Sequence, residues 1–352
     1  MSLWPVYTGT NEPHDGIAQL PPPPPWRDFD GGPVLPAPSD DTSATSPDRR
    51  HRARTYRATE NCVQLVNAAL YLRRPLLVTG PPGSGKSSLA YAVARELGLG
   101  PVLRWNITSR SALRDGLYQY DPLSRLYAAG RAATTPCHLD EGPGAQPDED
   151  ARPDRAGVED HLRLGPLGTA LLPYARPRVL LIDEIDKSDL DLPNDLLNIL
   201  EEGQYEIPEL VRTARHAPEA GLLADGSDDP VTVVRGKVRC RAFPFTVLTS
   251  NGEREFPPAF LRRCVTLRLR QPRDEHLEEI VRAHLGEPDA YARSLITRFL
   301  ERGSGGELAT DQLLNAIYLT GAAGIDAASR DELAQQLMPY LTQAADPGPD
   351  AL

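Results

Sequence analysis

Apolar and polar positions along this chain change their period several times, and each change predicts an element. Residues 58–72 space their apolar side chains at helical intervals, whereas residues 75–79 form the short, continuous apolar run of a buried strand. Helical spacing returns over 88–97, and a second apolar run at 101–107 predicts another strand. Strands that alternate with helices in this way are typical of a parallel sheet covered by helices.

The alternation continues as far as residue 271 and then stops. Further strands are predicted at 178–183 and 246–250, a β-hairpin over 231–241 that turns at Arg235-Gly236, and a helix over 109–126 that is interrupted at Asp121-Pro122. Beyond residue 272 only helical patterns follow, at 274–285 with Gly286 as its C-cap, 289–301, 311–322 and 329–343. We therefore predict an α/β domain over 54–271 and a small all-α helical lid domain over 272–345.

Four segments carry no such pattern. Residues 1–53 are rich in proline and polar side chains, so we expect a disordered tail, because this composition buries too little apolar surface to offset chain entropy. Its run Pro21–Pro25 is either simply solvated or a polyproline II ligand for an aromatic groove. The acidic stretch 134–160 predicts an exposed insertion, the stretch 213–230 a polar loop, and residues 346–352 a second disordered tail.

Composition narrows the class of protein. The 352 residues carry a formal charge of −11, which argues against a general nucleic-acid coat, and 40% of them are hydrophobic, which is enough for a large core. The four cysteines are widely scattered and predict reduced thiols rather than a zinc site or disulfides. The chain shows no membrane-spanning run and no signal-peptide pattern, so we expect a cytoplasmic protein.

Residues 80–87 read Gly-Pro-Pro-Gly-Ser-Gly-Lys-Ser between a predicted strand and a predicted helix, which is the setting of a phosphate-binding loop. Its glycines let backbone N–H groups point at anionic oxygens, and the following helix adds its positive dipole end. Lys86 is expected to reach the β- and γ-phosphates, and Ser87 to hold Mg²⁺. The residues assigned to this loop are Gly80, Pro81, Pro82, Gly83, Ser84, Gly85, Lys86, Ser87 and Ser88.

The apolar run 179–182 ends abruptly in two carboxylates, Asp183 and Glu184. Ligands of open α/β sheets lie at the carboxyl ends of the strands, so both side chains are expected beside the nucleotide. Asp183 suits Mg²⁺ coordination, and Glu184 suits taking a proton from the water that attacks the γ-phosphate. The alternative is a strand that merely ends in exposed acids.

Two later features complete the candidate site. Asn251 follows an apolar strand and is expected near the γ-phosphate, although asparagine is also a common turn residue. Arg262 and Arg263 end a short predicted helix, either as solvated surface or as groups that reach the nucleotide of a neighbouring subunit.

In this order the motifs GPPGSGKS, LLIDE, TSN and FLRRC resemble those of AAA+ ATPases, and the phrases at 163–171, 192–203 and 256–263 are most similar to the MoxR-like branch. The resemblance covers roughly residues 55–343. It implies a three-layer P-loop domain, a sensor role for Asn251, and a trans-acting arginine finger at Arg263, with Arg262 as a second candidate. The extra segment of this branch would fall at 108–127. The second sensor arginine that AAA+ proteins often carry is missing from 306–314.

The resemblance also implies the activity: Mg²⁺-dependent hydrolysis of ATP by a ring, expected as a hexamer, that remodels or activates a partner protein. Members of the branch are often paired with von Willebrand factor A-domain proteins, so such a partner is expected from the family alone. Two alternatives stay open, a nucleotide-dependent switch or scaffold that hydrolyses slowly and a nucleic-acid motor, against which the acidic balance weighs. A small-molecule kinase fits poorly, and the phosphate motifs do not decide between ATP and GTP.

Overall fold

The computed structural model describes residues 6–36, 46–134, 157–272, 274–302, 309–322 and 327–338. The strands in these residues are β1 (Leu76–Thr79), β2 (Leu103–Asn106), β3 (Tyr118–Tyr120), β4 (Leu162–Leu164), β5 (Val179–Asp183), β6 (Gln204–Glu206), β7 (Glu219–Leu223), β8 (Pro230–Val234), β9 (Lys237–Arg239), β10 (Phe245–Ser250) and β11 (Val265–Arg268). The helices are α1 (Pro47–Thr55), α2 (Glu60–Leu72), α3 (Lys86–Glu96), α4 (Leu113–Leu117), α5 (Pro122–Thr134), α6 (Pro166–Ala170), α7 (Leu192–Glu202), α8 (Pro208–Thr213), α9 (Pro258–Leu261), α10 (Asp274–Leu285), α11 (Ala290–Arg302), α12 (Thr310–Ala322) and α13 (Ala327–Leu337).

The central sheet is parallel, with the strand order β11-β1-β10-β5-β2. Every residue of β5 and β10 is buried, as expected of strands that are covered on both faces. Side chains alternate between two cores: Leu180 and Ile182 pack with α6 and α7, while Val179 and Leu181 pack with α2 and α3. The three-layer α/β/α arrangement predicted from the sequence is therefore confirmed.

The helices after residue 273 form a third core of their own. Leu277, Leu295, Phe299 and Leu313 are buried against one another across α10, α11 and α12. Gly286 ends α10 as predicted, with a φ of 84° and its N–H donated to the carbonyl of Arg282 over 3.0 Å. The helical lid domain of the predicted fold is thus present.

A second sheet, with the order β3-β4-β7-β8-β9-β6, differs in part from the prediction. The hairpin of β8 and β9 is confirmed, since Val234 pairs with Lys237 across the expected turn. The polar loop predicted at 213–230 is wrong, because β7 lies within it and pairs antiparallel with β8. Ala220 and Leu222 alternate with exposed residues in β7, and an alternation over only 5 residues is easily missed in a polar segment.

The helix predicted at 109–126 is also wrong in part. Its place is taken by α4, β3 and α5, and the predicted break at Asp121-Pro122 separates β3 from α5. The strand forms because β3 pairs antiparallel with β4, Tyr118 opposite Leu164 and Tyr120 opposite Leu162. The local sequence does not predict this pairing, because the two strands are distant in the chain.

The N-terminal segment differs most from its prediction as a disordered tail. Val6 and Tyr7 are fully buried against α2 and α3, and α1 begins at an N-cap formed by the side chain of Ser46. The buried carboxylate of Glu96 accepts hydrogen bonds from the backbone N–H groups of Thr8 (2.6 Å), Gly9 (3.1 Å) and Asn11 (2.9 Å). Contacts with a distant helix therefore order a segment whose composition alone favours disorder.

Several expectations fall on residues that the structure does not describe. Residues 1–5 and 37–45 of the predicted tail and 135–156 of the acidic insertion lie outside the described ranges, as do 339–343 of the last predicted helix and all of 346–352. Within the described ranges, Cys62, Cys240 and Cys264 are free and buried, and no helix has both the length and the apolar character needed to cross a membrane.

Candidate functional site

A cavity of about 1100 Å³ opens between the parallel sheet and the lid. The carboxyl ends of β1, β5 and β10 face it from one side, because parallel strands all end at the same edge of the sheet. The lid contributes His276, Ile280 and the N-terminal residues of α12, Thr310 and Asp311. Of the residues that the sequence predicts for the site, those that line the cavity are Pro82, Gly83, Ser84, Gly85, Lys86, Ser87, Ser88, Asp183, Glu184 and Asn251.

The loop between β1 and α3 has the backbone that its glycines predict. Gly83 and Gly85 have φ values of 73° and 81°, in the left-handed region that favours glycine. Gly85 is the N-cap of α3, and Lys86 is the first helical residue, with its ammonium donating to the carbonyls of Gly80 and Pro81 at 2.8 Å each. Burial lowers the pKa of Lys86, while the carboxylates of Asp186, Asp183 and Glu184 oppose that shift.

Asp183, the last residue of β5, is held by three side chains. Its Oδ1 accepts hydrogen bonds from the hydroxyls of Ser87 and Thr249, each over 2.7 Å, and its Oδ2 accepts one from Arg104, also over 2.7 Å. Burial by itself would raise the pKa of Asp183, but the hydrogen bonds from Thr249, Ser87 and Arg104 outweigh it and lower the pKa overall. Asp183 is therefore an ionised carboxylate fixed beside the phosphate-binding loop.

Glu184 adopts a left-handed backbone with a φ of 62°, which is rare for a residue with a side chain. Its N–H donates to the hydroxyl of Thr249 over 2.9 Å, and this bond helps to hold the turn. The side chain of Glu184 is 43% exposed and forms an ion pair with Lys187 over 2.8 Å. Thr249 thus holds the carboxylate of Asp183 and the backbone of Glu184, a role that sequence reasoning missed although the residue begins the polar triplet Thr249-Ser250-Asn251.

Asn251 lies at the end of β10, and a carboxylate that sequence reasoning did not assign to the site fixes its backbone. Oδ2 of Asp186 accepts from the hydroxyl of Ser250 (3.0 Å) and from the N–H groups of Asn251 (2.9 Å) and Glu253 (3.2 Å). The turn after β5 and the turn after β10 are consequently joined at one buried carboxylate.

Arg262 and Arg263 do not line this cavity. The Nε of Arg263 donates to Oε1 of Glu201 over 2.6 Å, and the carbonyl of Arg262 accepts from Arg74 over 3.2 Å. Arg263 instead borders a smaller cavity of about 160 Å³, beside the exposed ring of Trp26. The two arginines therefore serve no group in the large cavity of their own chain.

Further arginine side chains line the large cavity, and none of them belongs to a sequence motif that predicts such a position. Arg52, Arg57, Arg268 and Arg270 line it along with Arg104. Arg298, which lies in a lid helix, pairs with Asp331 over 3.1 Å. The positive charge around the cavity suits a polyanionic ligand such as a triphosphate.

Magnesium fits the oxygens present. Mg²⁺ takes oxygen ligands and is usually held by one or two protein oxygens together with phosphates and water. Ser87 Oγ and Asp183 Oδ1 lie 2.7 Å apart at the N-terminus of α3, next to the loop. In the part of the chain that the structure describes, no cluster of three or more His, Cys, Asp or Glu side chains is arranged to hold a metal ion, so a site built only from protein side chains is not indicated there.

A match to a known sequence family agrees with this geometry. Residues 75–264 match a sequence family described as AAA domain (dynein-related subfamily), while no curated protein matches the chain. Among solved structures, NtrX from Brucella abortus in complex with ADP is 15% identical, covering 85% of this chain and 55% of that chain with a TM-score of 0.37. C. elegans PCH-2 is 13% identical, covering 77% of this chain and 63% of that chain with a TM-score of 0.36. The chain thus spans less than two thirds of the length of either structure.

Proposed function

This chain belongs to the dynein-related subfamily of AAA domains, and from that premise we propose that it binds ATP with Mg²⁺ and hydrolyses it to ADP and phosphate. We further propose that it works as a ring, most simply a hexamer, of the MoxR-like branch, and that hydrolysis remodels or activates a partner protein. A partner with a von Willebrand factor A domain is the candidate that the resemblance to this branch suggests.

One observation carries the proposal of hydrolysis. Ser87 and Asp183 are joined over 2.7 Å at the same cavity that Lys86, Glu184 and Asn251 line, so the groups proposed to act from within one chain lie together. Bound Mg²⁺ would be held by Ser87 and Asp183 and would supply positive charge at the phosphate oxygens. Lys86 would bind the terminal phosphates, and the backbone N–H groups of the glycine loop would hold them in place.

Glu184 is the group we assign as catalytic base. It would accept a proton from the attacking water while Asn251 orients that water toward the γ-phosphate. The bond from its N–H to Thr249 fixes the backbone, so only the side chain must turn. Its ion pair with Lys187 is exposed, and pairs of this kind open at little cost, so Glu184 can leave it to act.

The position of Arg263 supports a shared site. A guanidinium that lies outside the cavity of its own chain is free to reach the nucleotide of the next subunit of a ring, once it leaves Glu201. An arginine of this kind contributes about 10³–10⁵ in rate by neutralising charge on the transferred phosphoryl group.

The Lys187–Glu184 pair favours one second candidate, a switch that binds ATP but hydrolyses it slowly until a partner breaks the pair. The 2.8 Å contact occupies Oε2 of Glu184 with the ammonium of Lys187, so that oxygen does not accept from an attacking water. In this case Lys187→Ala would raise the basal rate of hydrolysis, whereas in a constitutive ATPase it would leave the rate close to that of the wild type.

The proposal is tested by measuring phosphate release and ATP affinity side by side. We expect the wild type to release phosphate, and Glu184→Gln to bind ATP within about threefold of the wild type while losing hydrolysis by about 10²–10⁴-fold. Glu202→Gln, an exposed glutamate of α7, is the matched control and should hydrolyse ATP normally. Wild-type protein that binds no ATP, or a Glu184→Gln variant that turns over normally, would overturn the proposal.

A further inference from the structure

Arg104 lies directly on the carboxylate of Asp183. Its Nη2 is 2.7 Å from Oδ2, and the side chains of Arg104 and Asp183 are 33% and 9% exposed. The alternation of β2 accounts for this position, because Leu103 and Trp105 point into the core on one face while Arg104 points to the face that carries α3. An ion pair with a favourable geometry is thus built at the edge of the cavity.

The two oxygens of Asp183 have different partners. Oδ1 accepts from two neutral hydroxyls, those of Ser87 and Thr249, whereas Oδ2 accepts from the guanidinium. Arg104 is therefore the partner that compensates the charge of Asp183. Without a cation at this place, the carboxylate would repel the phosphates of any nucleotide bound to the loop.

Arg104 is not saturated by this pair. Its Nε is buried and has no hydrogen-bond partner, although an unpaired buried donor is costly. The residue also lines the large cavity, together with Lys86 and Ser87. A guanidinium with an unused donor at a ligand cavity differs from a purely structural ion pair, in which the donors are used within the protein.

We propose that Arg104 is a positioning residue that acts as the counter-ion of Asp183 until Mg²⁺ replaces it, and so lets the loop bind nucleotide in the absence of the metal. This inference rests on the nucleotide site of the proposed function. Mg²⁺ held by Ser87 and Asp183 would neutralise the same carboxylate, and Arg104 would then no longer be needed as its counter-ion.

The consequence is an unusually shallow dependence of nucleotide affinity on Mg²⁺. With Arg104 present, Asp183 is neutralised with or without the metal. With Arg104 removed, Lys86 remains bonded to the carbonyls of Gly80 and Pro81, and Mg²⁺ is the cation left to pair directly with Asp183, so nucleotide binding without the metal suffers selectively. A residue that merely stabilised the fold would change both affinities alike.

The experiment compares the affinity of fluorescently labelled ATP in excess Mg²⁺ and in excess EDTA for the full chain. We expect Arg104→Gln to weaken binding in EDTA by about 10- to 100-fold, and binding in Mg²⁺ by less than about threefold. Arg104→Lys, which keeps a charge but has a shorter reach, should lie between Arg104→Gln and the wild type. Arg110→Gln removes an equal charge from an exposed turn of the same segment and should leave both affinities unchanged.

A second measurement does not depend on nucleotide. Mg²⁺ alone should raise the Tm of Arg104→Gln more than that of the wild type, because only in the variant does the carboxylate of Asp183 lack its paired guanidinium. If Arg104→Gln does not fold, Arg104→Met keeps the aliphatic stem of the side chain and carries the same comparisons.

The outcomes separate the two proposals. If Arg104→Gln weakens binding equally in Mg²⁺ and in EDTA, or in neither, the role assigned to Arg104 is wrong although the nucleotide site stands. If the wild type binds no nucleotide under either condition, the proposed function itself fails.

Discussion

The carboxylate of Asp186 accepts the backbone N–H of Asn251 over 2.9 Å, although the two residues are 65 positions apart in the chain. Asp186 is 5% exposed, and the same oxygen also accepts from Ser250 and Glu253. The turn that carries Glu184 is therefore tied to the turn that carries Asn251. A displacement of either turn must move the other, so the two groups proposed to act on water keep a fixed relation.

Replacing Asp186 should separate the two turns. We expect Asp186→Ala to lower the free energy of unfolding by about 2–4 kcal/mol, since three donors, of which the Ser250 hydroxyl is buried, lose their partner. It should also reduce the rate of ATP hydrolysis by about 10- to 100-fold while changing ATP affinity much less, because Asn251 is displaced and Lys86 is not. Phosphate release, ATP titration and urea unfolding measure the three quantities.

The matched control is Asp195→Ala, which removes an exposed carboxylate from α7. It should leave stability and hydrolysis close to those of the wild type. If Asp186→Ala loses ATP affinity and hydrolysis in equal measure, Asp186 acts on nucleotide binding, and the positioning role given to it here is wrong.

The sequence predicts the part of this site that lies within single motifs. Lys86 and Ser87 follow a glycine loop, and Asp183 follows a buried strand, so their neighbourhood follows from the parallel sheet alone. Thr249, Asp186 and Arg104 could not be predicted in the same way. Each acts through a contact between strands that are distant in the chain, and such contacts leave no local pattern.

A shared site predicts complementation between two inactive variants. Arg263→Ala should lose hydrolysis alone, and so should Lys86→Ala, because one lacks the trans-acting group and the other cannot hold phosphate. Mixed, they should recover part of the activity, since a Lys86→Ala subunit can supply Arg263 to the intact loop of its neighbour. Phosphate release across a series of mixing ratios measures this recovery.

Two further arginine variants serve as controls for the mixing experiment. Arg241→Ala, another exposed arginine, should remain active alone. Arg262→Ala, tested in the same mixture, tells which of the two neighbouring arginines reaches the next subunit. Absence of recovery at every ratio for both Arg262→Ala and Arg263→Ala would count against a site built from two chains.

A histidine pair joins α1 to the lid and should make stability depend on pH. The rings of His51 and His284 lie with their nitrogens 3.1 Å apart. Burial, followed by the nearby charges of His51 and Arg57, lowers the pKa of His284 from 6.5 to about 4. Between pH 6.5 and about pH 4, His284 is therefore protonated in the unfolded chain and neutral in the folded chain. The contribution of neutral His284 to the free energy of unfolding is complete above pH 6.5 and is lost as the pH falls toward 4.

We expect His284→Gln to flatten this part of the stability curve. Urea unfolding at intervals between pH 7 and pH 4 should show a smaller loss for the variant than for the wild type, because the buried imidazole is no longer there to be protonated. His216→Gln, at an exposed turn, should follow the wild-type curve. Parallel curves for His284→Gln and the wild type would contradict the assigned shift.

The phosphate-binding loop touches the lid at Gly83. A methyl group on this residue would lie 3.0 Å from Cβ of Ala309 and 3.2 Å from the backbone nitrogen of Thr310, and its φ of 73° is unfavourable for alanine. Gly83→Ala should therefore destabilise the protein by about 1–2 kcal/mol and weaken ATP binding. Thermal unfolding and ATP titration measure both effects. Gly321→Ala, in α12 with open space around it, should be neutral or slightly stabilising.

The N-terminal segment shows where composition misleads. Prolines and polar residues predict disorder, because composition counts only what a segment can bury within itself. Here Val6 and Tyr7 enter a core formed by other elements, and Asn67 of α2 bonds both the N–H and the carbonyl of Tyr7. Such docking depends on a receptor surface that is assembled far away in the chain, so no window of the sequence contains it.

The bonds between this segment and Glu96 also bear on how the protein is prepared. The proline-rich composition of residues 1–53 suggests that a shortened protein could begin near residue 54. That truncation would remove Thr8, Gly9 and Asn11 and leave the carboxylate of Glu96 buried without their hydrogen bonds. It would also strip the cover from α2 and α3, the helices that flank the phosphate loop. A shortened protein of this kind would aggregate or fail to bind nucleotide because its fold is damaged, and an inactive preparation would not test the proposed hydrolysis.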